Sequence, residues 1–219
     1  MTLSSYYKQL HSTLILFLCI ISANSIAKTP ASLNQFRGDP LIASKKFALS
    51  IDQSCGENSS ADQLNLNKQN KKCILEKITF PYDTVLFNDT KKNKSIPVQL
   101  SPQFHSVIRT IFHPNDTIST ATLFIEQPNH QNTSLMLYQE KPNFDGFSVT
   151  KRYYFIASPT QIFILGVIYT EEGAVLDYWH NYTINHQGQF RLSDTITCQA
   201  GIPRKCSNQQ DSYYKFFYK

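Results

Sequence analysis

The chain has 219 residues, 41% hydrophobic and 13% aromatic, with only 7 Gly. So many aromatics can bury a real core, which excludes disordered, collagen-like and coiled-coil chains, and the length suits one domain of ordinary size. The net charge of +5 is mild and no dense basic stripe accompanies it, which argues against a dedicated nucleic-acid binder.

Residues 1–27 read as a secretory signal peptide. Lys8 supplies the positive start, and Leu14 to Ile21 is an unbroken apolar run. Ser25-Ile26-Ala27 places small residues at the −3 and −1 positions of a cleavage site. The run is about half the roughly 20 residues of a membrane span, so an uncleaved anchor is the weaker alternative. A lipoprotein is weaker still, since Cys19 follows the bulky Phe17-Leu18. Cleavage leaves residues 28–219 as one exported domain of net charge about +4, with no later span.

Thr29-Pro30 can start a short helix with Leu33 and Phe36 on one face, stopped by Gly38-Asp39-Pro40. Phe47, Leu49 and Ile51 alternate with polar or small residues, which predicts a strand. Ile74–Phe80, Thr84–Phe87 and Ile96–Leu100 read as further strands. One long helix is expected at 101–112. Ser101 is its N-cap, Pro102 its first residue, and Phe104, Val107, Ile108, Ile111 and Phe112 form one apolar stripe. Strands follow at 120–127, 134–139, 147–157, 161–170, 174–185 and 189–196. Their breaks (PNHQN, KPNFDG, SPT, EEG, HQG) are too short for parallel crossovers, so the strands form an antiparallel meander. Ile162–Tyr169 is apolar on both faces and should be central. Ser212–Tyr218 reads as a last strand. The fold class is α+β, mainly antiparallel sheet over about 120–196, with the helix across one face.

Without Cys19, four cysteines remain, and an even number in an exported chain implies disulfides. Of the three connectivities we expect the local one, Cys55–Cys73 and Cys198–Cys206. Both enclosed stretches, 56–72 and 199–205, are polar and lack a core pattern. A four-cysteine zinc site is disfavoured, because neither pair has the two-to-four-residue spacing of zinc ligands.

Alternation along 174–185 places Ala174, Leu176, Tyr178, His180, Tyr182 and Ile184 on one face, read as core. His180 there is expected to be structural. Val175, Asp177, Trp179, Asn181 and Thr183 fall on the other face. The only Trp between a carboxylate and an amide suits a sugar ring or a protein partner, unless the helix covers it. Lys68, Lys71 and Lys72, then Lys91, Lys92 and Lys94, then Arg204 and Lys205 cluster at loops. They would form a positive patch if the tips converge. Candidate binding residues are therefore Trp179, Asp177, Asn181, Arg204 and Lys205.

No metal spacing, GxSxG, CxxC or phosphate loop occurs, so no cofactor or metal is implied. Ser212 and Lys215 match SxxK without its companion motifs. Asn-x-Ser/Thr sequons begin at Asn58, Asn88, Asn93, Asn115, Asn132 and Asn181. The expectation is an exported, non-enzymatic binding protein in the periplasm or outside the cell. A periplasmic inhibitor or immunity protein against an envelope-attacking enzyme is its concrete form, with another protein or an envelope polymer as partner. The alternatives are a hydrolase of cell-wall or glycan material and a structural or adhesive surface component. A cleft with two carboxylates about 5–10 Å apart would favour the hydrolase. A protruding loop would favour the inhibitor, and a long exposed edge strand the adhesive component.

Overall fold

A computed structural model describes residues 32–56, 72–88, 92–113, 118–126, 132–199 and 205–207. Residues 1–27, Ser212–Tyr218 and Arg204 lie outside these. Period-2 patterning dominates from residue 94 onward and produces nine strands among the described residues. They are β1 (Lys94–Ser101), β2 (Phe104–His113), β3 (Ile118–Glu126), β4 (Thr133–Pro142), β5 (Val149–Ser158), β6 (Gln161–Thr170), β7 (Gly173–Ile184), β8 (Phe190–Gln199) and β9 (Lys205–Ser207). Each pairs antiparallel with the next, in the order β1 to β9, so the expected meander is present and begins earlier. β6 is interior, and Ile162 to Val167 are buried without a break.

The helix expected at 101–112 is instead the β1–β2 hairpin. Ser101 pairs with Phe104 across a two-residue turn, so Pro102 occupies a turn position that its fixed φ favours. The stripe that mimics a helix is rich in Val, Ile, Thr and Phe, which suit a pleated surface. Ser106 and Thr110 are buried on the inner face of β2, and β1 satisfies them. The Ser106 hydroxyl donates to the Val98 carbonyl at 2.8 Å, and the Lys94 N–H donates to the Thr110 hydroxyl at 3.0 Å.

Three expected strands are helical or irregular. Residues 45–55 form α1 (Lys45–Leu49) and α2 (Ile51–Cys55). The Ser44 hydroxyl caps α1 by accepting from the Phe47 N–H at 3.2 Å. Phe47 and Ala48 are the buried side of α1 and Ile51 and Cys55 that of α2, while Leu49 is exposed. Ile74–Lys77 is a 3-10 turn, and Thr84–Phe87 belongs to α3 (Tyr82–Phe87), which ends at Asn88 in the left-handed region. Leu33–Phe36 is a 3-10 turn with Phe36 buried.

β4 and β5 pair only from Gln139–Arg152 to Pro142–Val149. Beyond that point the backbone of 37–39 takes β4's place along β5. Ile156 N–H donates to the Arg37 carbonyl at 2.7 Å, and Asp39 N–H to the Tyr154 carbonyl at 3.3 Å. Gly38 sits between them at φ 79°, and a Cβ there would lie 2.0 Å from the Tyr154 oxygen. The freed end of β4 curls away until the Thr133 hydroxyl donates to the Gly188 carbonyl in the β7–β8 turn, at 2.7 Å. The buried residues form one continuous cluster across strands and helical segments.

Both expected disulfides are present. Cys55–Cys73 ties the end of α2 to the following 3-10 turn, and Cys198–Cys206 joins directly opposed residues of β8 and β9. Edge strand β1 carries Lys94 and Pro97, which blunt it against pairing with another chain. No helix among the described residues is long and apolar enough to cross a membrane.

Candidate functional site

Trp179 is a core residue rather than an exposed plate. It is 2% exposed, its indole N–H donates to the Ile42 carbonyl at 2.7 Å, and its ring meets Phe163 at 5.7 Å. A bulge causes this. Gly166 pairs with Tyr178 but Val167 with Leu176, so Asp177 is an extra residue and the strict alternation breaks there. Leu176 and Trp179 are consequently both buried. Asn181 is half-buried and accepts from Gln161 Nε2 at 3.3 Å. Lys205 opens β9 opposite Gln199, its side chain lying outside the described atoms. Of the candidates whose side chains are described, Trp179 belongs to the core and Asp177 and Asn181 are half-buried. Among the basic tips, Lys72 pairs with Glu76 at 2.8 Å and Lys94 donates to the Phe87 carbonyl at 3.0 Å. Lys68, Lys71 and Lys91 lie outside the described residues.

His180 is half-buried and stacks on Tyr178 with centroids 4.5 Å apart. Burial, and then the Arg152 guanidinium, lower its pKa to about 4. Arg152 Nε donates to the Tyr178 hydroxyl, and the Tyr178 ring covers Gly166, where a Cβ would come within 2.4 Å of it. This is a packed polar cluster spanning three strands.

The chemistry-bearing groups lie instead at the β4–β5 hairpin. Its tip, Asn143–Ser148, is held by its own polar side chains. The Asn143 N–H donates to the Ser148 carbonyl at 2.8 Å. Asp145 accepts the Phe147 and Ser148 N–H groups at 3.0 Å each and the Ser148 hydroxyl at 2.7 Å. Those bonds, Ser148's hydroxyl first, hold the Asp145 carboxyl below the usual range. Thr150 and Ser148 both bond the Asn143 side chain, at 2.9 and 2.7 Å. Gly146 turns the chain at φ 72°. On this braced loop Phe144 and Phe147 are 104% and 74% exposed. Lys141 Nζ lies 5.4 Å from the Phe144 centroid. In the sequence, Phe144 falls in the KPNFDG break while Phe147 opens the strand expected at 147–157. Two Phe residues amid Asn, Asp and Gly were the available signal, since a turn needs neither Phe.

At the hairpin's base, on the Glu140–Lys151 register pair, lies a cleft of about 390 Å³. Phe80, Tyr82, Tyr138 and Tyr153 line it, with Asp83 at the start of α3. The Tyr138 hydroxyl lies 2.9 Å from Asp83 Oδ1 and 3.0 Å from Glu140 Oε2. Lys151 Nζ is 2.9 Å from Glu140 Oε1. Burial first, then the Glu140 and Asp83 charges, push the Tyr138 pKa strongly upward, so its hydroxyl stays protonated and donates. Comparison of the chain with protein-family models, with curated proteins and with solved structures found no match.

Proposed function

We propose that this is an exported, non-enzymatic binding protein that inserts the β4–β5 hairpin into an apolar pocket of another protein. An inhibitor or immunity protein acting on an envelope-targeting enzyme is the concrete form of that reading. One observation carries it: two exposed Phe side chains on a loop whose hydrogen bonds are already made. Large exposed aromatics are costly for a protein to keep in water unless a partner covers them. A braced loop loses little further entropy on docking, so more of the contact energy becomes affinity. The disulfides suit an oxidising compartment, which supports export.

The hydrolase reading stands second, on a specific observation. Asp83 and Glu140 bracket one hydroxyl and so have carboxylate oxygens no more than about 6 Å apart, a bound that excludes an inverting pair and leaves room for the roughly 5–5.5 Å of a retaining one. Tyr138, however, fills the space between them where a scissile oxygen would have to sit. Capture from an envelope extract under oxidising conditions separates the two. The binding reading expects one stoichiometric enzyme retained by the native chain and lost by a Phe144→Ala/Phe147→Ala variant. Turnover of cell-wall material that disappears in Asp83→Asn, with no partner retained, would overturn it in favour of the hydrolase.

A further inference from the structure

Arg152 is a half-buried cation without a counter-charge. Its Nε–H goes to the Tyr178 hydroxyl and an Nη1–H to the Met136 carbonyl at 3.4 Å. A guanidinium has five N–H groups, so the remaining ones meet no acceptor among the described residues. No ion pair to Arg152 occurs among those residues either, Asp177 at the neighbouring bulge included. A charge taken out of water without compensation is costly. A second, independent observation lies on the same face of the sheet. Two cross-strand rows run side by side there, Arg152–Gly166–Tyr178–Thr197 and Tyr154–Ile164–His180–Thr195. Thr195 is 7% exposed, and its buried hydroxyl has no hydrogen-bond partner. The buried Tyr154 hydroxyl in the same row has none either. Buried polar groups are seldom left so, and each such group calls for an explanation. Thr197, at the end of the first row, is exposed, so the Arg152–Tyr178 side of this face meets solvent.

This face therefore has donors in excess and one positive charge to balance. A neutral amide brings acceptors without charge, and a dianion brings more charge than one guanidinium offsets. A carboxylate matches both needs: its two oxygens fit the planar fork of N–H groups, and it carries a single charge. The Tyr178 and His180 rings, stacked with centroids 4.5 Å apart, lie beside the guanidinium and give the ligand's apolar part a surface. We propose that the Arg152–Tyr178–His180 cluster binds a monovalent carboxylate, with the Arg152 guanidinium as its anchor. The carboxylate comes either from a free small organic acid or from an acidic side chain presented by another protein.

The test is an NMR titration of the oxidised full-length protein, following the Arg152 Nε and His180 ring signals at constant ionic strength set with sodium chloride. The probes are propionate for the free acid, N-acetyl-glutamate methylamide for the side chain, propionamide as the uncharged isostere and sulfate as the dianion. The expected result is a saturable shift of both signals with carboxylate at concentrations up to about 50 mM. Propionamide gives none, and sulfate binds more weakly. Arg152→Gln weakens the carboxylate affinity by roughly tenfold or more. A second readout needs no variant. Burial first, and then the Arg152 charge, hold the His180 pKa down at about 4. An anion on Arg152 offsets that charge, so saturating propionate should raise the His180 pKa in the native protein. Tighter binding of propionate assigns the free acid, and tighter binding of the capped glutamate assigns a protein side chain. No saturable shift, an equal response to propionamide, tighter binding of sulfate, or a His180 pKa unmoved by propionate would overturn the proposal. None of these outcomes depends on Phe144 or Phe147, so failure here leaves the hairpin reading to its own test.

Discussion

Asp39 ties together segments that lie far apart along the chain. It is 4% exposed, and its carboxylate accepts the Leu41 and Thr79 N–H groups, both at 2.9 Å. Its own N–H is shared between the Tyr154 carbonyl and the Tyr82 hydroxyl. The sequence marks it only as a stop signal, because Thr79 and Tyr154 are far away along the chain and no local pattern announces them. Asp39→Ala leaves two N–H groups without a partner and should cost about 2–4 kcal/mol, read as a lower urea midpoint with unchanged slope. His180 was legible as structural from its place among apolar neighbours, but its titration was not. Its folded pKa of about 4 lies below the ordinary value of 6.5. Between those values the unfolded chain therefore binds more protons than the native one. Stability should fall as pH drops through that window, by on the order of 3 kcal/mol in all, and level off below it. Urea unfolding of native protein and His180→Phe at pH 7.5 and 4.5 checks this, since the variant should lose part of the pH dependence.

Among the elements, β2 shows where pattern and propensity part. Phe104, Val107, Ile108, Ile111 and Phe112 satisfy a helical stripe, yet Ser106 and Thr110 are the residues that face inward with Ile108. Buried hydroxyls read as solvent-facing in any hydrophobicity pattern, and only the β1 backbone that receives them reveals the true face. The reverse holds for α1 and α2, where short apolar alternation disguises a helical face capped by Ser44. The hairpin tip left only a faint signal for another reason: exposure is a property of the folded surface, and Phe144 and Phe147, even amid Asn, Asp and Gly, look like core residues on paper. Asp145 is the element's brace. Asp145→Ala should leave the melting temperature within about 2 °C, since surface changes are usually small. It should raise the backbone mobility of 144–147 in 15N relaxation and weaken partner binding by loosening a preformed loop.

At the scale of the molecule, the antiparallel meander was legible because its breaks are too short for crossovers. The pairing of cysteines was legible because setting aside Cys19, which lies in the apolar stretch expected to be a leader, leaves an even number. The curl of the sheet was not, since it depends on 37–39 displacing β4 from β5, a contact across the whole chain. The two disulfides fasten that arrangement at its helical end and at its last strand. The longer closed loop alone should contribute about 3 kcal/mol. Reduction should therefore lower the urea midpoint markedly, and Cys55→Ser/Cys73→Ser should reproduce more of that loss than Cys198→Ser/Cys206→Ser. The Phe-bearing tip lies on a different hairpin, so binding should survive loss of the β8–β9 bridge. The most direct measurement of the hairpin's role is calorimetric titration of the captured partner with native protein and with Phe144→Ala/Phe147→Ala of matching circular dichroism. The expected result is a loss of affinity of roughly 100-fold or more, as two anchors in one pocket imply. Equal affinity in the double variant would contradict it and remove the hairpin as the binding element.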